Sequence, residues 1–241
     1  MTLSVCAIVV LLACLSASSA AEGACDVTIK FNSVAVEAQS QNWLEQELQK
    51  AATKVCGWWG DTYSGPLTID IPQDDGPSLA LVPAWRGNRG HMIFPGPTVR
   101  RRASATIHEV VHVFAPNANR FLAEGLAVYA HQHLGGPRAY PNFGIALHAA
   151  AGAHAQQADI AALDHQATPA MLDQKAYLVG GSLVRFLIER HGLAKFRRLY
   201  AMTPLVPGQR NAGSPGRWQQ VYGVTLDELA TAWRVQVAQG I

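Results

Sequence analysis

The spacing of apolar positions changes near residue 100. Before it, short runs alternate apolar with polar residues between Gly and Pro breaks, the pattern of strands. Cys25–Ala38 reads as one strand. Pro66–Ile71, Ser78–Val82 and His91–Phe94 are shorter candidates. One helix interrupts them: Trp43, Leu44, Leu48, Ala51 and Ala52 recur at helical spacing within Gln41–Val55, and Cys56-Gly57-Trp58-Trp59-Gly60 ends it. After residue 100 the period is helical almost throughout. The expected helices are Val99–Phe114, Arg120–His133, Phe143–His154, Lys175–His191, Ala194–Ala201 and Leu226–Val237. Asn119 is placed to cap the second of these, and Thr225 with Glu228 forms a capping box for the last. The fold class expected is α+β.

Composition adds that a large core is available. Of 241 residues, 49% are hydrophobic and 15% charged, so disorder is excluded. The net charge of +2 is too mild for nucleic-acid binding. Arg100-Arg101-Arg102 reads as a solvated first helical turn. The Trp pair reads as packing, with a ligand platform as the alternative.

Val5–Leu15 is an apolar run of signal-peptide length, and small residues follow from Ser16 to Ala21. It is too short to span a bilayer. The expected divisions are a leader over 1–20, a β-rich part over 21–100 and a helical part over 101–241, the last two forming one domain. The chain is then exported, periplasmic or secreted. Leu11-Leu12-Ala13-Cys14 offers a second reading, lipid anchoring through Cys14. Export leaves Cys25 and Cys56, 31 positions apart, in an oxidising compartment. Pairing closes a loop worth about 3–4 kcal/mol; two separate buried thiols are the alternative.

Candidate chemistry lies in Ala105–His131. His108 and His112 stand at i and i+4, one turn apart on one side of a helix. They flank the apolar stripe Ile107, Val110, Val111 and Phe114. Glu109 sits between them, completing His-Glu-x-x-His. In that motif two neutral imidazoles reach one zinc ion and the carboxylate reaches its water. Glu124 follows after 11 intervening residues, on a helix apolar on nearly every side. A buried carboxylate needs a counter-charge. A cation shared with the histidines supplies one, and a salt bridge to Arg120 is the alternative. Pro116, Asn117 and Asn119 permit a helix hairpin that returns Glu124 to the histidine pair.

His-Glu-Val-Val-His, then Phe121-Leu122-Ala123-Glu124-Gly125-Leu126-Ala127-Val128-Tyr129, resembles the gluzincin branch of the zincin metallopeptidases, the peptidase MA-like group. Ala176–Gly192 and Val221–Leu229 with Trp233 resemble its downstream helices, so the likeness covers roughly Arg102 to the C-terminus. It implies a zincin-like fold: a β-rich upper lobe with one helix, an active-site helix and a helical lobe below. It implies a zinc-dependent peptidase acting on peptide or protein. His108, His112 and Glu124 would be ligands of one Zn2+, and Glu109 the general base. Tyr177 would stabilise the oxyanion, or simply pack. The His112–Glu124 spacing is shorter than in the aminopeptidase and thermolysin branches. No Gly-x-Met-Glu-Asn stretch is present to anchor a free amine. Val128 stands where an acidic residue commonly orients a ligand histidine. A zincin-like domain that binds peptides without cleaving them is the alternative function. His131 shares the Glu124 face; a role behind the metal site and a partly exposed helix-end position are both open. His148, His154 and His165 show no ligand spacing. His91 precedes a candidate edge strand.

Overall fold

The computed structural model describes residues 25, 27–60, 63–81, 89–165, 172–205 and 212–240. The expected leader, with Cys14 and its cleavage positions, lies outside them, as does Val82. The described chain is mixed α+β. A four-stranded sheet is followed by a run of helices, and among the described residues no helix is long and apolar enough to cross a membrane.

The sheet is built from β1 (Ile29–Val34), β2 (Leu67–Ile71), β3 (Leu79–Ala80) and β4 (His91–Ile93), in the order β1-β2-β4-β3. The first three in that order run parallel, and β3 runs antiparallel along β4. The strand at His91 is therefore interior, and the edge next to it is β3, a correction to the sequence expectation. His91 itself pairs with β2: its Nε2 lies 2.6 Å from Asp70 Oδ2. Crossover from β1 to β2 requires a helix, and α1 (Ala38–Trp59) supplies it, burying Leu44, Leu48, Ala51, Ala52 and Val55. β1 is shorter than expected, because α1 begins at Ala38. Cys25 and Cys56 are joined by a disulfide, which ties the chain ahead of β1 to the last turn of α1.

The single helix expected over Val99–Phe114 is two: α2 (Gly96–Arg100) and α3 (Thr106–Phe114). Arg102 adopts φ 54°, which no helix continues. The Ala103 N–H bonds back to Thr98 O, and the Thr98 hydroxyl lies 3.2 Å from Ser104 Oγ. The arginine run thus ends a short helix instead of starting a long one. Arg100 donates from Nη2 to Ala35 O at 2.8 Å.

The helices that follow are α4 (Arg120–His133), α5 (Leu147–Ala155), α6 (Ile160–Asp164), α7 (Gln174–His191), α8 (Leu193–Ala201), α9 (Arg217–Tyr222) and α10 (Leu226–Gln239). α5 starts four residues later than expected. Pro141, Gly144 at φ 86° and Phe143 at φ 48° give turns over 140–144 instead. α6 and α9 are five and six residues long, too short to show a period in sequence. Asn119 caps α4 by accepting from the Leu122 N–H, and the Thr225–Glu228 capping box is present in full.

Among the described residues, the most extensive helix pairing is α4 on α7. Glycine allows it. A Cβ on Gly125 would stand 2.7 Å from Gly180 O, and one on Gly181 would stand 2.5 Å from a Val128 methyl. Two backbones in near contact bring Tyr177, one turn before Gly180, beside the residues that α4 presents.

Candidate metal centre

Three side chains from two helices meet at one point. His108 Nε2 and His112 Nε2 lie 3.2 Å apart. Glu124 Oε2 lies 3.0 Å from the first and 3.2 Å from the second. Among the described residues, this is the one group of three His, Cys, Asp or Glu side chains close enough to hold a metal ion. Its identity is not fixed by the geometry alone. A tetrahedral ion with ligand bonds of 2.0–2.1 Å needs donors about 3.3 Å apart, which these separations fit.

The hairpin brings this about. α3 carries the two imidazoles one turn apart. Pro116 stops the helix, and Asn117 and Asn119 organise the turn: Asn117 Oδ1 accepts the Asn119 N–H at 2.8 Å, and Asn117 Nδ2 donates to Tyr200 O at 2.7 Å. α4 then returns Glu124. A second cluster fixes its start. Asn119 Nδ2 donates to Asp164 Oδ1 at 2.9 Å and to Ala212 O at 3.0 Å. Asp164 is in turn held by Arg217 Nη2 at 2.5 Å and by Trp218 Nε1 at 3.0 Å. Asp164 and Arg217 are both fully enclosed; Arg217 Nη1 also donates to Ser214 O at 2.9 Å, while its Nε has no hydrogen-bond partner among the described residues.

Glu109 and Glu124 are both buried, at 4% exposure each. Arg120 Nη2 lies 3.0 Å from Glu124 Oε1. The salt-bridge alternative for Glu124 is therefore present, one carboxylate oxygen facing Arg120 while the other faces the imidazoles in a group that could hold a metal ion. Burial pushes the Glu124 carboxyl up, but His112 and His108 reverse this and hold it well below the usual range. Burial pushes His112 down, and Glu124 more than offsets it, so its pKa is raised. Burial dominates at Glu109 and raises it, against the pull of His108 and His112.

The backbone N–H of Ala80, at the sheet edge, opposes the burial that raises Glu109. Leu81 N–H pairs with His91 O across β3 and β4, so the Ala80 N–H points away from β4, toward α3.

Tyr177 is buried, and its ring stacks on His108 with centroids 6.2 Å apart. Burial and then the Glu124 charge raise its hydroxyl pKa, while Arg120 pulls it down through a hydrogen bond. Tyr140, passed over in the sequence, joins this group: its ring meets Tyr177 edge-on at 5.7 Å. Only the Tyr-Pro turn signal marks it.

His131 is not a partly exposed helix-end residue. It is 5% exposed, and its Nε2 donates to Pro137 O at 2.7 Å. Burial, resisted by that bond, pushes it down to about 4. Its Nδ1 and His108 Nδ1 are both buried with no hydrogen-bond partner among the described residues. His148 lies far from ligand geometry, in a core triad: its Nδ1 accepts from Ser182 Oγ at 2.7 Å, and Trp233 Nε1 donates to the same hydroxyl at 2.9 Å. The Trp pair packs: Trp59 meets Tyr200 edge-on at 5.3 Å, and Trp58 lies over Tyr129 and His133.

Compared with protein-family models, with curated proteins and with solved structures, the chain matches none.

Proposed function

We propose that this chain is an exported, zinc-dependent peptidase of gluzincin type. The observation that carries the reading is the convergence of His108 Nε2, His112 Nε2 and Glu124 Oε2 within 3.2 Å of one another, beside a buried Glu109. His-His-Glu is a donor set of catalytic zinc, which keeps a fourth position open. Zinc in such a set supplies Lewis acidity, lowering the pKa of water and polarising a carbonyl.

The chain's own residues do the rest. Glu109 takes a proton from the attacking water and delivers it to the leaving amine. Its raised pKa moves the carboxyl toward the working pH, where a general base is most effective. Tyr177, kept protonated by burial, donates a hydrogen bond to the developing oxyanion. The gluzincin likeness, the zinc and the export signal belong to this proposal. So does the zincin arrangement of a β-rich lobe above a helical one.

The test is digestion of a peptide library with zinc added or chelated, using wild type and Glu109→Gln. Wild type should cleave only with metal. The variant should keep stoichiometric zinc and lose about 10²–10⁴ of the rate. Equal rates in both, or no cleavage of any member, would replace the peptidase with a peptide-binding domain.

A further inference from the structure

Five large apolar side chains are exposed among the described residues, and three of them fall within six positions: Tyr140 at 45%, Phe143 at 57% and Ile145 at 57%. Contiguous exposed apolar surface marks a binding site more often than it marks neutral surface. These three stand on the turn that joins α4 to α5.

The turn is built to hold them out. Phe143 has φ 48°, a left-handed conformation that a bulky residue rarely adopts. Its N–H bonds to Ala139 O at 2.8 Å. Gln132 from α4 donates to Ile145 O at 2.8 Å, and Gln174 from α7 donates to Pro141 O at 2.9 Å. Asn142, itself buried, donates to Ile145 O at 2.6 Å. A strained backbone fixed from α4, which carries Glu124, and from α7, which carries Tyr177, with a phenyl ring presented to solvent, is the arrangement expected where strain serves function.

A chain of ring contacts leads from the patch to the centre. Phe143 meets Tyr140 edge-on at 6.2 Å, Tyr140 meets Tyr177 at 5.7 Å, and Tyr177 stacks on His108 at 6.2 Å. The Glu124 carboxylate is near enough to raise the Tyr140 hydroxyl, after burial and Asp173.

We propose that the 139–146 turn is the specificity element of the site, and that it selects peptides carrying an apolar or aromatic side chain next to the bond held at the centre. This rests on the peptidase reading for its substrate class. The occupant is an extended peptide whose apolar side chain lies on Tyr140, Phe143 and Ile145 while its backbone reaches the His108–Glu124 pocket.

Binding is measured on the zinc-loaded Glu109→Gln chain, so that nothing is consumed. The probes are decapeptides of Gly, Ala and Ser with a central Phe, Leu, Asp or Gly. The Phe and Leu peptides should bind about 10-fold tighter than the Asp and Gly peptides, the range one apolar group provides. Phe143→Ser and Ile145→Ser should each reduce that ratio at least roughly threefold, with zinc stoichiometry and circular dichroism unchanged. Equal affinity for all four peptides, no binding of any, or a full ratio in both variants would overturn the proposal. The wild-type digest separates this from the parent reading. Cleavage without apolar preference sinks the selector and keeps the peptidase; apolar-selective binding without cleavage does the reverse.

Discussion

Arg120 Nη2 and Glu124 Oε1 lie 3.0 Å apart, one helical turn from each other, while Oε2 of the same carboxylate faces both imidazoles. The guanidinium thus fixes the carboxylate's plane without occupying the oxygen that the centre needs. Replacing the carboxylate should be felt at the metal first. Glu124→Gln is expected to lower zinc affinity at least about 100-fold, since a neutral amide is a poor zinc donor and the Arg120 charge is left facing the ion. Competitive titration with a chromophoric chelator measures it; an unchanged affinity would remove Glu124 from the ligand set.

Metal held only by the folded state stabilises it by mass action. At free zinc 100 times its Kd the gain is about 2.7 kcal/mol, or roughly 5–10 °C in melting temperature for a chain of this size. Chelation should lower the midpoint by that amount, and added zinc should restore it. In His112→Ala the two midpoints should coincide.

Gly125→Ala tests the close passage of α4 over α7. The new methyl meets Gly180 O at 2.7 Å, backbone that cannot rotate away. A loss of about 1–3 kcal/mol is expected by urea unfolding in chelator. Gly152→Ala serves as the control, because nothing lies within 4 Å of its added carbon.

His148 makes stability pH-dependent. Burial pushes its pKa down to about 4, below the ordinary histidine value near 6.5. The unfolded chain therefore binds its proton first. The stability held above about pH 6.5 is lost as pH falls from 6.5 toward 4, on the order of 2 kcal/mol by pH 5. Urea midpoints in chelator at pH 7 and pH 5 measure the drop. In His148→Gln it should shrink by about that amount; an identical drop would place the acid sensitivity elsewhere.

The candidate centre was legible because its chemistry is local. His108, Glu109 and His112 share one helix turn, and Glu124 is conspicuous as a carboxylate in an apolar helix. Elements of eight or more residues were likewise visible in their period, from α1 to α10. Strand order was not: whether His91–Ile93 lies at an edge depends on where β3 docks, and two residues carry no signal for that. The break between α2 and α3 escaped because arginine has no reputation as a helix stop; local bonds at Thr98 and a tertiary bond from Arg100 to Ala35 O accompany it. His131 misled because sequence position suggests a helix end, whereas the Gly135–Pro137 turn folds back and covers the ring.

The cap of α4 has a temporal corollary. Synthesis delivers all three candidate ligands by residue 124, yet Asn119 is secured by Asp164 and Ala212, and Asp164 in turn by Arg217. A nascent chain stopped short of these holds the donors on an unanchored helix. On the zinc reading, capture would wait for synthesis to pass Arg217, and ribosome-stalled chains ending before it should retain the ion far less well than chains that include it.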